Sequence, residues 1–192
     1  MSYYQGYIFC ENRLKTNNMP YDLSQVIEGM QAAAKGEKLP FDQNTLNEAV
    51  TRFQEELLAK QEKNNLIEAE SYLLKIAKES DIVELIPSKL YFKQLKVGFG
   101  ESVSEETPVT VSYTAKILKN GEEKEVLSLK NTPISLSDTI PGFSLGTAGM
   151  RLGEQRKLFI HPDLAYGTYG GKLDPNQLII FEVEAVNLQD ES

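Results

Sequence analysis

The residues able to make and break bonds are few in this chain. It has one histidine, His161, and one cysteine, Cys10. They lie far apart in sequence and supply too few soft ligands for a zinc-type site. The residues therefore call for no metal and no other cofactor. Cys10 has no partner for an internal disulfide; it reads as a half-buried helix residue, with a bridge between two subunits as the alternative. Gly142-Phe143-Ser144-Leu145-Gly146 spells G-x-S-x-G, the nucleophile elbow of serine hydrolases. That motif needs a strand before it, a helix after it, and partners in the order Ser, acid, His. His161 follows Ser144 too soon, no strand-borne acid lies between them, and the βα repeats of such an enzyme are absent. The hydrolase reading fails, and His161 reads as a strand-end residue before Pro162. What remains is a set of aromatic and apolar residues at strand ends and on one short helix. By themselves they describe a core.

The elements that must position them fall into two parts. Tyr4, Tyr7, Ile8 and Leu14 recur at near-helical spacing, and Asn17, Asn18 and Pro20 break the pattern. Asp22 is a fair N-cap for a second helix with Leu23, Val26, Ile27 and Met30 on its apolar face and Gly36 near its end. Pro40 and Asp42 open a third, in which Leu46, Val50, Phe53 and Leu57 follow at helical spacing. Every residue from Lys60 to Asn65 is polar, yet neither Gly nor Pro interrupts the chain between Asp42 and Ser80. Apolar spacing then resumes with Leu66, Ala69, Leu73 and Ile76. This pattern predicts one helix of roughly 55 Å whose polar interval bridges solvent, a stalk.

After Pro87 the period changes to two. Leu90 to Lys93 reads as a first strand. Val109, Val111, Tyr113, Ala115 and Ile117 alternate with polar residues in a half-buried strand. Asn120-Gly121 is a two-residue hairpin turn. Val126–Leu129, Gln155–Ile160 and Leu178–Leu188 supply further strands, and Pro141 to Met150 a short helix started by proline. The expected class is α+β: an all-helical N-terminal part with a long helix, then an antiparallel sheet wrapped on a short helix.

Several separate blocks then carry a resemblance. Val109-Thr110-Val111-Ser112-Tyr113-Thr114, Ile140-Pro141-Gly142-Phe143 and Pro162-Asp163-Leu164-Ala165-Tyr166-Gly167 are followed by Asp174-Pro175-Asn176 and Leu178 to Glu184. Together they resemble the FKBP-type peptidyl-prolyl cis-trans isomerases. Ser2-Tyr3 to Gly6-Tyr7, Val26 to Gln31 and Phe53 to Gln61 resemble the N-terminal dimerisation domain of the Mip-like bacterial members. The resemblance implies a helical dimerisation domain over 1–58, a helix stalk over 59–83 continuing from about 43, and an isomerase domain over 84–192. It implies a homodimer through the N-terminal helices. Packing against a second copy also fits the residues, because so short a set of amphipathic helices makes a poor core alone; a small monomeric bundle folded back on the stalk is the alternative.

The resemblance also implies site residues. Tyr113 would form one wall of a proline pocket and Phe143 its floor, where many relatives have Trp. Ile140 would offer its backbone N–H to the substrate and Tyr166 its hydroxyl, while Phe181 would complete the aromatic lining. Leu173 would sit on a flap loop, and Ile134 and Thr139 would hold positions usually occupied by Phe and Val. Relatives carry a Phe-Asp pair after the hairpin turn. Glu125 falls at the Asp position if Lys124 replaces the Phe; a shift by two instead puts Val126 in the core and Leu127 in the pocket, with no acid. These departures predict reduced catalysis and weak binding of the family's macrolide inhibitors. A proline-peptide-binding or holdase module with a degenerate site is the alternative.

Composition narrows the partners. The formal net charge is −8 and 41% of residues are hydrophobic, which suits a globular chain and argues against a nucleic-acid partner. Basic residues are interleaved with acids, as in Lys60 to Lys63 and Glu122 to Lys124. The expected partners are unfolded or proline-containing client proteins. No apolar run approaches a membrane span, and the first residues lack the basic and apolar regions of a signal peptide. The expected location is the bacterial periplasm or outer membrane for a processed exported form, or otherwise the cytoplasm.

Overall fold

The computed structural model describes residues 2–14, 21–38, 42–104, 108–168 and 173–188. The chain forms two compact units, Met1–Arg52 and Phe53–Ser192. The first contains α1 (Ser2–Phe9), a π-helical turn (Cys10–Leu14) that holds Cys10 half-buried, and α2 (Leu23–Ala34). The third helix, α3 (Gln43–Ile76), begins there and ends in the second unit.

Both helix starts follow from their caps. The Asp22 Oδ1 accepts from the Ser24 and Gln25 amides at 2.8 and 3.4 Å, and Asp42 Oδ1 accepts from those of Asn44 and Thr45 at 2.9 and 3.0 Å. Each satisfies backbone donors that a helix start leaves open. The breakers Asn17, Asn18, Pro20 and Pro40 lie outside the described residues.

The second unit is built on a six-stranded antiparallel sheet in the order β1-β2-β7-β8-β4-β5. Its strands are β1 (Ile82–Ile86), β2 (Leu90–Lys96), β4 (Val109–Lys119), β5 (Glu122–Ile134), β7 (Gln155–Ile160) and β8 (Ile179–Leu188). A separate two-stranded ladder joins β3 (Phe99–Ser102) to β6 (Arg151–Leu152). Asn120 and Gly121 both have positive φ, 56° and 77°, the conformation that a two-residue hairpin requires. The strand expected to be first, from Leu90, is second. β1 precedes it at the sheet edge with Val83 and Leu85 exposed, so its sequence shows no single apolar face. The short helix α4 (Pro141–Thr147) ends before Met150, because Gly149 turns the chain at φ 74°.

The sheet is covered on both faces. On one, Leu90, Val111, Leu158, Ile160 and Phe181 pack with Phe143 of α4. On the other, Tyr91, Phe159 and Ile180 pack with Ala69, Leu73 and Ile76 from the last turns of α3. Residues 179–181 therefore alternate between two apolar layers, which explains the uninterrupted apolar start of β8. A charged layer borders the α3 side. Glu123 accepts from the Tyr72 hydroxyl at 2.9 Å and from Lys157 Nζ at 2.7 Å, while Lys116 Nζ pairs with Glu182 at 2.6 Å. The polar interval of α3 does more than bridge solvent. Asn65 Nδ2 donates to the Pro175 carbonyl at 2.7 Å, and the Glu62 carbonyl accepts from Asn176 at 3.5 Å. Apolar periodicity does not register such contacts, because they are made by polar side chains to backbone.

Candidate functional site

A cavity of about 500 Å³ opens on the α4 side of the sheet, within the size range of ligand pockets. Its floor is three rings. Tyr113 of β4 and Phe181 of β8 come from neighbouring strands, in which Ala115 pairs with Phe181 and Tyr113 with Val183. Phe143 rises from α4. The ring centroids are 5.7 Å apart for Tyr113–Phe143, 5.6 Å for Tyr113–Phe181 and 4.8 Å for Phe143–Phe181, all edge-to-face. Each ring thus offers a positive edge to a neighbour's negative face.

The placement of Phe143 is determined locally. Pro141 sits at the first helical position, and the Ile140 carbonyl accepts from the Phe143 and Ser144 amides at 3.0 and 3.1 Å. Gly142 lies against Ile160, where a Cβ would collide with the isoleucine side chain, so only glycine lets α4 approach β7 this closely. At the other end of α4, Arg156 Nη1 donates to the Gly146 and Ala148 carbonyls at 2.9 and 3.3 Å. Its Nε pairs with the buried Glu154 at 2.6 Å, and its guanidinium lies 4.5 Å from the Phe92 ring centroid. A cation at the carbonyl end of a helix answers both its open acceptors and its dipole.

The rim comes from Ile134 at the end of β5, Asp138 and Thr139 at the end of a short 3₁₀ turn, Ile140, Pro141 and Tyr166. Tyr166 is 49% exposed on the loop after β7, where Gly167 (φ 56°) returns its amide to the Pro162 carbonyl at 2.9 Å. Among the described residues, neither the Ile140 N–H nor the Tyr166 hydroxyl has a hydrogen-bond partner. Burial pushes the Tyr113 phenol above its ordinary value, and the neighbouring Tyr166 adds to the effect. Ser144 and His161 share no hydrogen bond; His161 Nδ1 instead accepts from the Asp163 amide at 3.1 Å. Among the described residues no His, Cys, Asp and Glu side chains cluster to hold a metal.

Tyr113, Ile134, Thr139, Ile140, Phe143, Tyr166 and Phe181 thus meet at one cavity. Glu125 and Leu173 are not among its lining residues. Leu173 packs, partly buried, against the core cluster that contains Phe143 and Phe181. Glu125 was expected at the pocket only in one of the two alignments the sequence left open, and it does not line this cavity. The β4–β5 register jumps between Ala115, opposite Leu127, and Lys116, opposite Glu125. This bulge leaves Glu125 on the Lys116 face, away from the cavity, and aligns Leu127 and Leu129 with Ala115 and Tyr113. Val126 is exposed, not in the core. Asp138 and Pro141 also line the cavity; Pro141 was expected only as the start of the short helix, and Asp138 was not singled out. Asp138 lies in the short stretch Ser135-Leu136-Ser137-Asp138-Thr139, where a single apolar residue sets up no periodicity to mark it.

A family model described as "FKBP-type peptidyl-prolyl cis-trans isomerase" matches residues 100–186, and one described as "Domain amino terminal to FKBP-type peptidyl-prolyl isomerase" matches residues 1–93. The chain is 37% identical over 183 residues to "Peptidyl-prolyl cis-trans isomerase Mip" of Chlamydia pneumoniae, covering 94% of this chain and 70% of that protein. It is 30% identical over 193 residues to "FKBP-type peptidyl-prolyl cis-trans isomerase FkpA" of Escherichia coli K12, covering 94% and 71%. The crystal structure of FkpA from Escherichia coli shares the fold at a TM-score of 0.77 and 24% identity, over 98% of this chain and 94% of that one. The sheet and short helix that carry this ring-floored cavity have the matching topology, and the chain belongs to the Mip-like FKBP-type peptidyl-prolyl cis-trans isomerases.

Proposed function

We propose that the ring-floored cavity is where this isomerase holds the proline of its substrate. The observation that carries this reading is the pairing of an apolar floor with two unpartnered donors at the rim, the Ile140 N–H and the Tyr166 hydroxyl. Rotation about an X-Pro bond passes a barrier of ~18–20 kcal/mol because it breaks amide resonance. The twisted amide has less charge separation than the planar one. A dry pocket over Tyr113, Phe143 and Phe181 therefore destabilises the planar form more than the twisted form. Donors fixed at the rim then hold the carbonyl in its rotated position. Ile134 and Thr139 shape the wall, and Leu173, which packs against the core cluster, is the flap residue. Glu125 plays no part in this reading, so Tyr113 lacks a carboxylate from β5, which supports a reduced rate and weak macrolide binding.

The test is catalysed isomerisation of a short proline peptide by the full chain. Tyr166→Phe is expected to lower kcat/KM about 5–10-fold, the effect of one hydrogen bond. Phe143→Leu should lower it further. Phe143→Ala is unsuitable alone, because a buried Phe→Ala change costs about 3–5 kcal/mol of stability. Unchanged turnover in both variants, with folding intact by circular dichroism, would place the site elsewhere. Protection of a client from aggregation with no proline turnover would favour the holdase reading.

The N-terminal helices are the proposed homodimer surface, over 1–58, with 84–192 as the isomerase domain and the helix between as the stalk. Tyr3, Tyr4 and Tyr7 are 88%, 66% and 56% exposed, and α2 has no buried residue. A groove of about 580 Å³ between α1 and α2 is lined by Tyr7, Phe9, Val26, Ile27 and Met30 among others. Apolar surface of this extent is characteristic of an association face. The clients are proline-containing or unfolded proteins. The bacterial periplasm, or association with the outer membrane, is the proposed location, with the cytoplasm as the alternative; the relative from Legionella longbeachae is named "Outer membrane protein MIP". Among the described residues no helix is long and apolar enough to cross a membrane.

A further inference from the structure

Among the described residues the cavity lining contains one charge. Tyr113, Ile134, Thr139, Ile140, Pro141, Phe143, Tyr166 and Phe181 are neutral, and Asp138 is the remaining lining residue. Its backbone is fixed. Leu136, fully buried, anchors the 3₁₀ turn Leu136–Asp138. The Asp138 amide donates to the Ser135 carbonyl at 3.1 Å, and the next residue closes the turn through Thr139 N and Oγ1 to the Leu136 carbonyl at 3.2 and 2.7 Å. The side chain is exposed, accepts a long bond from Ser137 Oγ at 3.4 Å, and enters no ion pair among the described residues. The turn therefore presents a solvated carboxylate on the rim, two residues before the Ile140 amide.

We propose that Asp138 is a specificity-determining residue which favours substrates carrying a lysine or arginine next to the proline. This rests on the reading of the cavity as the proline site. Neighbouring Cα atoms in a substrate are about 3.8 Å apart. With the ring over Phe143, a long side chain on an adjacent residue spans the distance to the rim. A cation there meets a carboxylate with no competing partner among the described residues, whereas an acidic side chain meets a like charge. The pair is solvent-exposed, so its effect is modest and screened by salt. Attraction for one sign and repulsion for the other together predict a kcat/KM ratio of about three- to ten-fold, lysine peptide over glutamate peptide, at low ionic strength.

The experiment uses the full chain and three peptides that differ only beside the proline: lysine, glutamate or leucine. The readouts are kcat/KM and equilibrium binding. The wild type is expected to prefer lysine over glutamate, and the preference should shrink toward one in 1 M salt. Asp138→Asn should abolish the ratio and Asp138→Lys should invert it. A lysine-to-glutamate ratio that is the same in wild type and Asp138→Asn overturns the proposal, as does a wild-type ratio of one. Failure of the underlying site reading is separately visible, because Phe143→Leu and Tyr166→Phe would then leave leucine-peptide turnover intact. The binding ratio reads the Asp138 effect even where turnover is slow.

Discussion

The helices of the first unit and the last turns of α3 carry the same kind of apolar repeat but have different surroundings. Leu23, Ile27 and Met30 of α2 are about half exposed. Ala69, Leu73 and Ile76 of α3 are almost fully buried, since the sheet presents Tyr91, Phe159 and Ile180 to them. Amphipathicity specifies that a helix face must be covered. It does not specify by what. The C-terminal end of α3 finds its cover within the chain, whereas α1 and α2 leave theirs exposed, the face proposed above to meet a second copy.

The largest expected effect bears on α2. In Ile27→Asp each copy brings a carboxylate to the proposed interface, and a charge desolvated without a partner costs several kcal/mol, on the order of a hundredfold or more in dimer dissociation. Sedimentation should show monomers, with unfolding of the second unit unchanged; an intact dimer would break the comparison. Next comes Leu73→Ala, expected to destabilise the second unit by about 2–5 kcal/mol in urea unfolding. A loss under ~0.5 kcal/mol would show that the end of α3 behaves as a solvated stalk.

Glu123 sharpens the contrast through pH. Burial alone would push its carboxyl up, but the bonds from Lys157 and Tyr72 outweigh this and hold it below the ordinary value of 4.5. A depressed carboxyl contributes stability that is fully present above the unfolded-state value and is lost as pH falls through the folded one. Glu123→Gln should therefore cost about 1–3 kcal/mol at pH 7, and the gap to wild type should narrow as pH falls below the ordinary value of 4.5. A gap independent of pH would assign the effect to packing. The smallest effect is expected for Asn65→Ala, about 1 kcal/mol for its bond to the Pro175 carbonyl. It should be accompanied by faster amide exchange at Asn176, whose amide is held by Gly167.

Much of the site could be read from the chain because it is local. The Ile140-Pro141-Gly142-Phe143 block specifies its own helix start, and strict alternation in β4 puts Tyr113 on the buried side. Glu125 could not be placed in this way. Its face depends on one bulge in a ladder with Lys116 and Leu127 as neighbours, and a register shift of one residue moves a side chain to the other face. Asp138 was missed for a related reason, since a short turn has no period and its direction is determined by the burial of Leu136.

By itself the sequence determined the helices, the strands β2, β4, β7 and β8, the helix caps, the hairpin turn and the aromatic blocks, because each depends on residues within a few positions of one another. Only the tertiary structure decided that α3 ends as a second cover for the sheet, that Glu125 turns away from the cavity and that Asp138 turns toward it. Those outcomes depend on contacts between residues distant in sequence, and no local preference encodes which of two faces a distant partner will occupy.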